Sequence, residues 1–380
     1  MLIRDGESTT DKPKSRSILR VIFGEWAAQD FVVFTYLSIF FLAVVAGSGP
    51  RRPTALWMTA VDVVVFGTLV TLGRNKWFGP TVAGMFYRAA LLFGLLGSFF
   101  ELQWILPTAR GAAVDAQLYA FDRALFGMEP ADVFDKFTNP QTTEWFAFFY
   151  WGYFPVLAAH VLPFLFGAKP SRRLSEISFG VLWVFSVAHC TYLLVPGFGP
   201  YIYLADHFTN RLEGATFWPL VKATVDSVDI TSRTDIFPSL HTAAPTFLAT
   251  FAFRHRKTFP FKYTWAPTIF AVSQIIIATM FLRWHYLIDV CVGFVHGVST
   301  AFIAAAVVPR EEAWRARTGR SPVWTTPWRK RDEDEKDAVA DQDDESTVSD
   351  SLVRPSLEAR SASQAPEPRS SSRQTAGRRS

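Results

Sequence analysis

Cysteine is almost absent: Cys190 and Cys291 are the only two in 380 residues, and both lie in apolar runs. A disulfide framework therefore does not hold this chain together. Charged residues are also scarce, at 19% against the roughly 25% of ordinary soluble domains. The net formal charge of +4 gathers into no basic cluster of the kind a nucleic acid requires, which excludes that partner class. The opening stretch MLIRDGESTTDKPKSRSILR is polar and has no small-residue cleavage site after a short hydrophobic core, so it does not read as a cleaved signal peptide. No internal repeat of fixed period is present.

Aromatic side chains are abundant at 16%, and mean hydropathy is +0.15, which excludes a disordered chain and points to a membrane protein. A helix rising 1.5 Å per residue needs about 20 apolar residues to cross a hydrocarbon core of about 30 Å. Eight stretches approach this length, at roughly residues 30–47, 55–72, 83–106, 144–167, 177–195, 239–253, 263–282 and 287–308, the sixth being short. Helices are the expected form because lipid offers no water to exposed backbone groups. The sequence thus predicts an all-α polytopic bundle: a cytoplasmic N-terminal segment over 1–29, a transmembrane domain over 30–309, and a disordered cytoplasmic tail over 310–380. The tail call rests on the change to Pro, Ser, Arg and acids, including the run RDEDEKDAVADQDDE.

Lys and Arg on short loops orient such a bundle. The loops after the second, fourth and sixth stretches hold Arg74 and Lys76, then Lys169, Arg172 and Arg173, then Arg254, Arg256, Lys257 and Lys262, and are expected in the cytoplasm together with both termini. Arg51 and Arg52 fall on the opposite side. On that opposite side the segment Ala112 to Phe137 mixes Leu118, Tyr119, Leu125, Phe126, Val133, Phe134 and Phe137 with acids and bases, a pattern open to an interfacial amphipathic helix pair covering the site or to a plain surface loop.

The chemistry gathers on the same side, in Phe237-Pro238-Ser239-Leu240-His241 and in Arg283-Trp284-His285-Tyr286-Leu287-Ile288-Asp289. His285 and Asp289 are four apart, a spacing that on a helix stacks them on one face, so that the carboxylate orients one imidazole nitrogen and leaves the other basic. Ionisable groups at a membrane helix end are costly unless paired or used. His241 belongs to a different helix end at the same face.

These motifs resemble the second and third signatures of the type 2 phosphatidic acid phosphatase superfamily, and Ala278 to Val290 is most similar to its inositol phosphorylceramide synthase branch. The resemblance covers about residues 140–308. It implies a six-helix catalytic core, a lipid phosphate or phospholipid substrate, no cofactor, and a phosphohistidine intermediate. In that scheme His285 matches the nucleophile, Asp289 its orienting carboxylate, and His241 the acid for the leaving oxygen and then the base for the acceptor. Ser239 and the backbone N–H groups that open its helix are candidates for holding phosphate oxygens.

Two departures separate the chain from the pattern. The first signature, a Lys followed by Arg-Pro, is missing from Tyr192 to Tyr201, and Ala278-Thr279 replaces the Ser-Arg that precedes the third. The phosphate clamp is thereby open, with Arg283, Arg233 and Lys222 as candidates on the right side. Arg283 lies about 200° from His285 on an ideal helix and points away unless the helix begins there. Asp62 and Glu101 are candidates for a headgroup pocket or for pairing with neighbouring helices, Arg88 for snorkelling, and His296 for a satisfied core position. A catalytic zinc held by His241, His285 and Asp289, or an inert transporter or scaffold that keeps the motifs, are the readings from other classes.

Overall fold

The computed structural model describes residues 22–166 and 171–324, and among these the chain forms helices and no strand, only an isolated bridge between Gly197 and Asp235. In chain order the helices are α1 (Ala28–Ala46), α2 (Arg52–Asn75), α3 (Pro80–Ala109, with a π turn at Phe93–Gly97), α4 (Asp115–Phe126), α5 (Pro130–Asp135), α6 (Pro140–Trp151), α7 (Tyr153–Phe166), α8 (Arg172–Leu194), α9 (Phe217–Asp226), α10 (Leu240–Arg254), α11 (Phe261–Phe281) and α12 (Leu287–Arg317). Seven spans are long and apolar enough to cross a membrane: α1, α2, α3, α6 continuing into α7, α8, α11 and α12.

The eighth expected span, α10, is shorter. Its length corresponds to about 22 Å, yet Ala243, Ala244, Phe247, Leu248 and Phe251 bury it at the centre of the bundle. It packs on α12, α11 and α8. The approach to α12 is close because Gly293 and Gly297 lie against it: a Cβ at Gly293 would sit 2.6 Å from the Ser239 carbonyl oxygen, and one at Gly297 2.4 Å from that of Ala243. Such a small-xxx-small stripe is how membrane helices gain van der Waals contact where no hydrophobic drive exists between them. With α6, α7, α8 and α11, this pair forms a six-helix bundle. Helices α1, α2 and α3 make a second unit that packs on α8 through α1.

One end of the bundle collects the basic residues. Arg74 is buried there against Asp30 at 2.7 Å and also donates to the Val323 carbonyl, while Tyr87 donates to Asp30 at 2.8 Å. Arg254 pairs with Glu176 at 3.2 Å. Arg51 and Arg52, which the loop-charge pattern left on the wrong side, are used structurally at the other end. Arg52 donates to the Val45 carbonyl, an orphan acceptor at the end of α1, and Arg51 donates to the Gln103 carbonyl and to Ser232 Oγ. The expected tail boundary at 310 moves outward: α12 continues to Arg317, and Val323 and Trp324 return to bury against the bundle, Trp324 Nε1 donating to Ser178 Oγ. The rest of the expected tail, from 325 onward, and the first 21 residues lie outside the described residues.

Candidate active site

The two motif segments meet in a cavity of about 410 Å³ at the end opposite the basic cluster, a size within the ~300–1,000 Å³ of small-molecule sites. Both His241 and His285 line it, with ring centroids 6.3 Å apart. His241, in the first turn of α10, lies between Tyr150 and Tyr153, each ring centred 4.4 Å away, and its Nε2 has no hydrogen-bond partner. These stacked rings fix the imidazole plane while leaving a nitrogen available.

His285 does not stand on a helix. It occupies the turn Leu282–Tyr286 between α11 and α12, so the four-residue spacing to Asp289 works differently from a stacked helical pair. Asp289 is the third residue of α12 and reaches back to the chain before it: its Oδ2 accepts the Tyr286 N–H at 3.0 Å and lies 3.5 Å from His285 Nδ1. That separation is longer than a normal hydrogen bond, and Asp289 Oδ1 is unpartnered, so the contact has room to tighten when substrate is bound. Burial pulls the His285 imidazole down to about 4, opposed by the nearby charge of Asp235 and a hydrogen bond to the Ile236 backbone. At neutral pH it is therefore the neutral ring a nucleophile requires.

Several carboxylates hold this turn, and sequence reasoning had not singled them out. Of the two readings of Ala112 to Phe137 the helix pair forms, as α4 and α5, and its acids face inward. Asp115 accepts the Phe198 and Gly199 N–H groups at 2.9 Å and the Tyr286 hydroxyl at 3.1 Å. Two turns further along the same face, Asp122 accepts the Leu287 and Ile288 N–H groups at 2.6 and 3.0 Å, supplying negative charge to the orphan donors that open α12. Asp135 accepts the Thr209 and Asn210 N–H groups and pairs with Arg283 at 2.8 Å. The segment Pro196–Tyr201, where the family's first signature would sit, is a strut: the Tyr201 N–H donates to the Arg283 carbonyl at 2.6 Å. Gly199 has φ +81°, and a Cβ there would lie 2.4 Å from the Trp284 carbonyl oxygen, so only glycine fits. The Thr279 carbonyl, at the position of the missing Ser-Arg, accepts the Trp284 and His285 N–H groups.

The candidate phosphate ligands separate into two groups. Arg283 does not line the cavity. Its backbone is left-handed at φ 66°, and its guanidinium is taken up by Asp135, the Asn210 carbonyl and the face of Phe208 at 4.0 Å. Ser239 is also away from the cavity, fully buried, its N–H donating to the Asp289 carbonyl and its Oγ accepting from Thr242. Lys222 is exposed and paired with Asp226. Arg233 is the cation that lines the cavity, with Nη1 on Asp226 at 2.9 Å and Nε on the Val228 carbonyl. Beside it stands Asp235, the one carboxylate among the lining residues described, whose acidity burial weakens.

Other polar candidates fall outside the cavity. Asp62 and Glu101 come together between α2 and α3 without lining it. His296 hydrogen-bonds the Val184 carbonyl at 3.1 Å within the bundle. Among the described residues no group of three His, Cys, Asp or Glu side chains is arranged to hold a metal ion, so the set His241, His285 and Asp289 does not have the convergence a catalytic zinc requires.

Comparison with known proteins matches residues 116–305, half of the chain, to the PAP2 superfamily, a span that takes in α6 to α11, nearly all of α4 and most of α12. Neither the curated proteins nor the solved structures provide a match. The motif pair, the helical membrane-type fold and this match agree: the chain belongs to the PAP2 superfamily.

Proposed function

We propose that this protein is an integral membrane enzyme that hydrolyses or transfers a lipid-borne phosphate through a phosphohistidine at His285. The observation that carries the proposal is the pairing of His241 and His285 in one cavity, at a separation a phosphoryl group can bridge, with Asp289 behind His285.

In the first half-reaction the neutral His285 ring attacks phosphorus. An N–P bond forms, the ester P–O bond breaks, and His241, which takes up a proton when the phosphate dianion binds beside it, gives that proton to the departing oxygen. Asp289 stabilises the positive charge left on the imidazole, and Arg233 offsets charge on the equatorial oxygens. In the second, His241 takes a proton from the incoming hydroxyl, whose oxygen displaces the His285 nitrogen from phosphorus. Water as acceptor gives a phosphatase. An alcohol gives a phosphotransferase of the inositol phosphorylceramide synthase type, and Asp235 of the cavity lining stands where it can accept a hydrogen bond from a hydroxyl of an inositol-like polyol.

The basic residues at the opposite end favour placing this site on the extracytoplasmic or lumenal face, with the described chain ends in the cytoplasm. The test is release of phosphate from a lipid phosphate by purified protein, with and without a polyol. Phosphorylated polyol at the expense of free phosphate supports transfer, free phosphate regardless of acceptor removes it, and full turnover by His285→Ala removes the catalytic reading itself.

A further inference from the structure

The cavity around the histidines has two unlike walls. The polar one comes from the chain before α10, with Arg233 and Asp235. The apolar one is built by Phe99, Phe100 and Leu102 of α3, facing Trp151 and Phe154 at the junction of α6 and α7. The α3 residues belong to the N-terminal helical unit and fall outside residues 116–305 that match the family. One side of the candidate site is therefore supplied by a part of the chain that the family match does not include.

Depth decides what this wall faces. Roughly 13 Å of helix separates Phe100 from the end of α3 at Ala109, and roughly 15 Å separates Tyr150, stacked on His241, from the start of α6 at Pro140. Both place the apolar wall inside the ends of α3 and α6, within a hydrocarbon layer of about 30 Å, while His285 stands in the turn at the ends of α11 and α12. Phe100 and Phe154 line the cavity and are 65% and 43% exposed. The C-terminal half of α3 and helix α7 share no extensive packing among the described residues. Two exposed rings on helices that barely pack together thus mark this side of the cavity as a gap.

We infer that this gap is the binding site for the apolar chain of the substrate, which runs from a phosphate at His285 between α3 and α7 into the bilayer. The inference rests on the proposed lipid-phosphate reaction and adds that the N-terminal unit, through Phe99, Phe100 and Leu102, sets the preference for chain length and shape. A fixed apolar slot is selective because each methylene left without contact costs roughly fourfold in affinity.

The experiment uses the full chain in lipid nanodiscs. A hexadecyl phosphate carrying a diazirine midway along its chain is photolysed with the His285→Ala protein, and label is expected on Phe99–Gln103 of α3 and on Trp151–Phe154. Label confined to other helices overturns the inference. In parallel, the ratio of kcat/KM for hexadecyl phosphate to that for para-nitrophenyl phosphate is compared between the unmodified protein and Phe99→Ala/Phe100→Ala. The preference for the long chain should fall at least tenfold, and a ratio within twofold of the original overturns the inference. Label on α3 with no phosphate released from either ester removes the proposed reaction and leaves the chain site standing. Release from both esters with α3 unlabelled does the reverse.

Discussion

Arg283 separates two accounts of the site, and its pair with Asp135 makes the difference measurable. If Arg283 clamps phosphate, its loss should weaken substrate binding and Asp135 should matter little. The geometry instead makes it an anchor for the turn that carries His285. The ion pair is 2.8 Å long with side chains only 7% and 10% exposed, and the same guanidinium donates to the Asn210 carbonyl at 2.8 Å and covers Phe208. Removing one partner of a buried pair costs about 3–5 kcal/mol, because the other charge is stranded. Arg283→Ala leaves Asp135 with the Thr209 and Asn210 N–H groups, so about 3 kcal/mol is expected. Asp135→Ala strands Arg283 and frees those two N–H groups as well, which places it nearer 5 kcal/mol.

The double variant strands no charge, so its cost should fall short of the sum by about 2 kcal/mol or more. The assay is a double-mutant cycle on unfolding in detergent, read together with kcat and KM. Both single variants should lower kcat, since displacing a reacting group by about 1 Å costs on the order of 100-fold, and KM for the phosphate ester should change far less. Additive stabilities, with a raised KM confined to Arg283→Ala and Asp135→Ala close to the parent, would refute this reasoning and return Arg283 to the substrate.

Three further outcomes follow from the same geometry. Because burial holds His285 down to about 4, kcat/KM should lose the contribution of its neutral form only as pH falls toward 4; Asp235→Asn removes a charge that favours the protonated ring and should move that acid limb lower still. Glu129, buried at the start of α5, has its carboxyl pushed up to about 8 by burial and by neighbouring acids including Asp122. The folded state therefore keeps a proton that the unfolded chain releases near 4.5, and stability should be greatest below that pH and decline by about 1.4 kcal/mol per unit as pH rises toward 8. Thermal unfolding between pH 5 and 9 checks this, and Glu129→Gln should flatten the profile; an unchanged slope in that variant excludes Glu129 as its source. Asp122→Ala, which frees the Leu287 and Ile288 N–H groups, should cost about 2 kcal/mol and lower kcat more than KM, with partial recovery in Asp122→Asn, whose amide oxygen still accepts one of them.

The membrane spans and the motif residues were legible in the sequence for one reason: each is a local pattern. Apolar runs of helix length locate α1, α2, α3, α8, α11 and α12, and short motifs carry His241, His285 and Asp289. The supports of the site are not local. Asp115 reaches Tyr286, Asp122 reaches Leu287, and Asp135 reaches Arg283, across 171, 165 and 148 residues, and nothing in a stretch such as Asp115–Asp135 distinguishes an acid that faces water from one that caps a buried turn. Tyr150 and Tyr153 likewise read as ordinary span aromatics until α6 and α7 bring them onto His241. Helical periodicity misplaced His285 because it extended α12 backward past Tyr286, where the helix begins only after the capping contact of Asp289.

These supports divide the work of positioning. The close contact of α10 with α12 sets the start of α10 against the first turn of α12 through backbone proximity, the Ser239 N–H donating to the Asp289 carbonyl at 3.1 Å. His285 is free of both helices and is held from the opposite direction, by acids of α4 and α5 acting on Tyr286, Leu287, Ile288 and Arg283. The proposed nucleophile therefore depends on α4 and α5 as much as on the bundle. Loosening α4 or α5 should disable His285 while leaving the packing of α8, α10, α11 and α12 intact, whereas enlarging Gly293 should separate the start of α10 from the first turn of α12 and disturb the core itself. Full-chain variants of α4 and α5 should accordingly lose more turnover than their thermal destabilisation accounts for, and variants at the small-residue face of α12 should lose stability and turnover together.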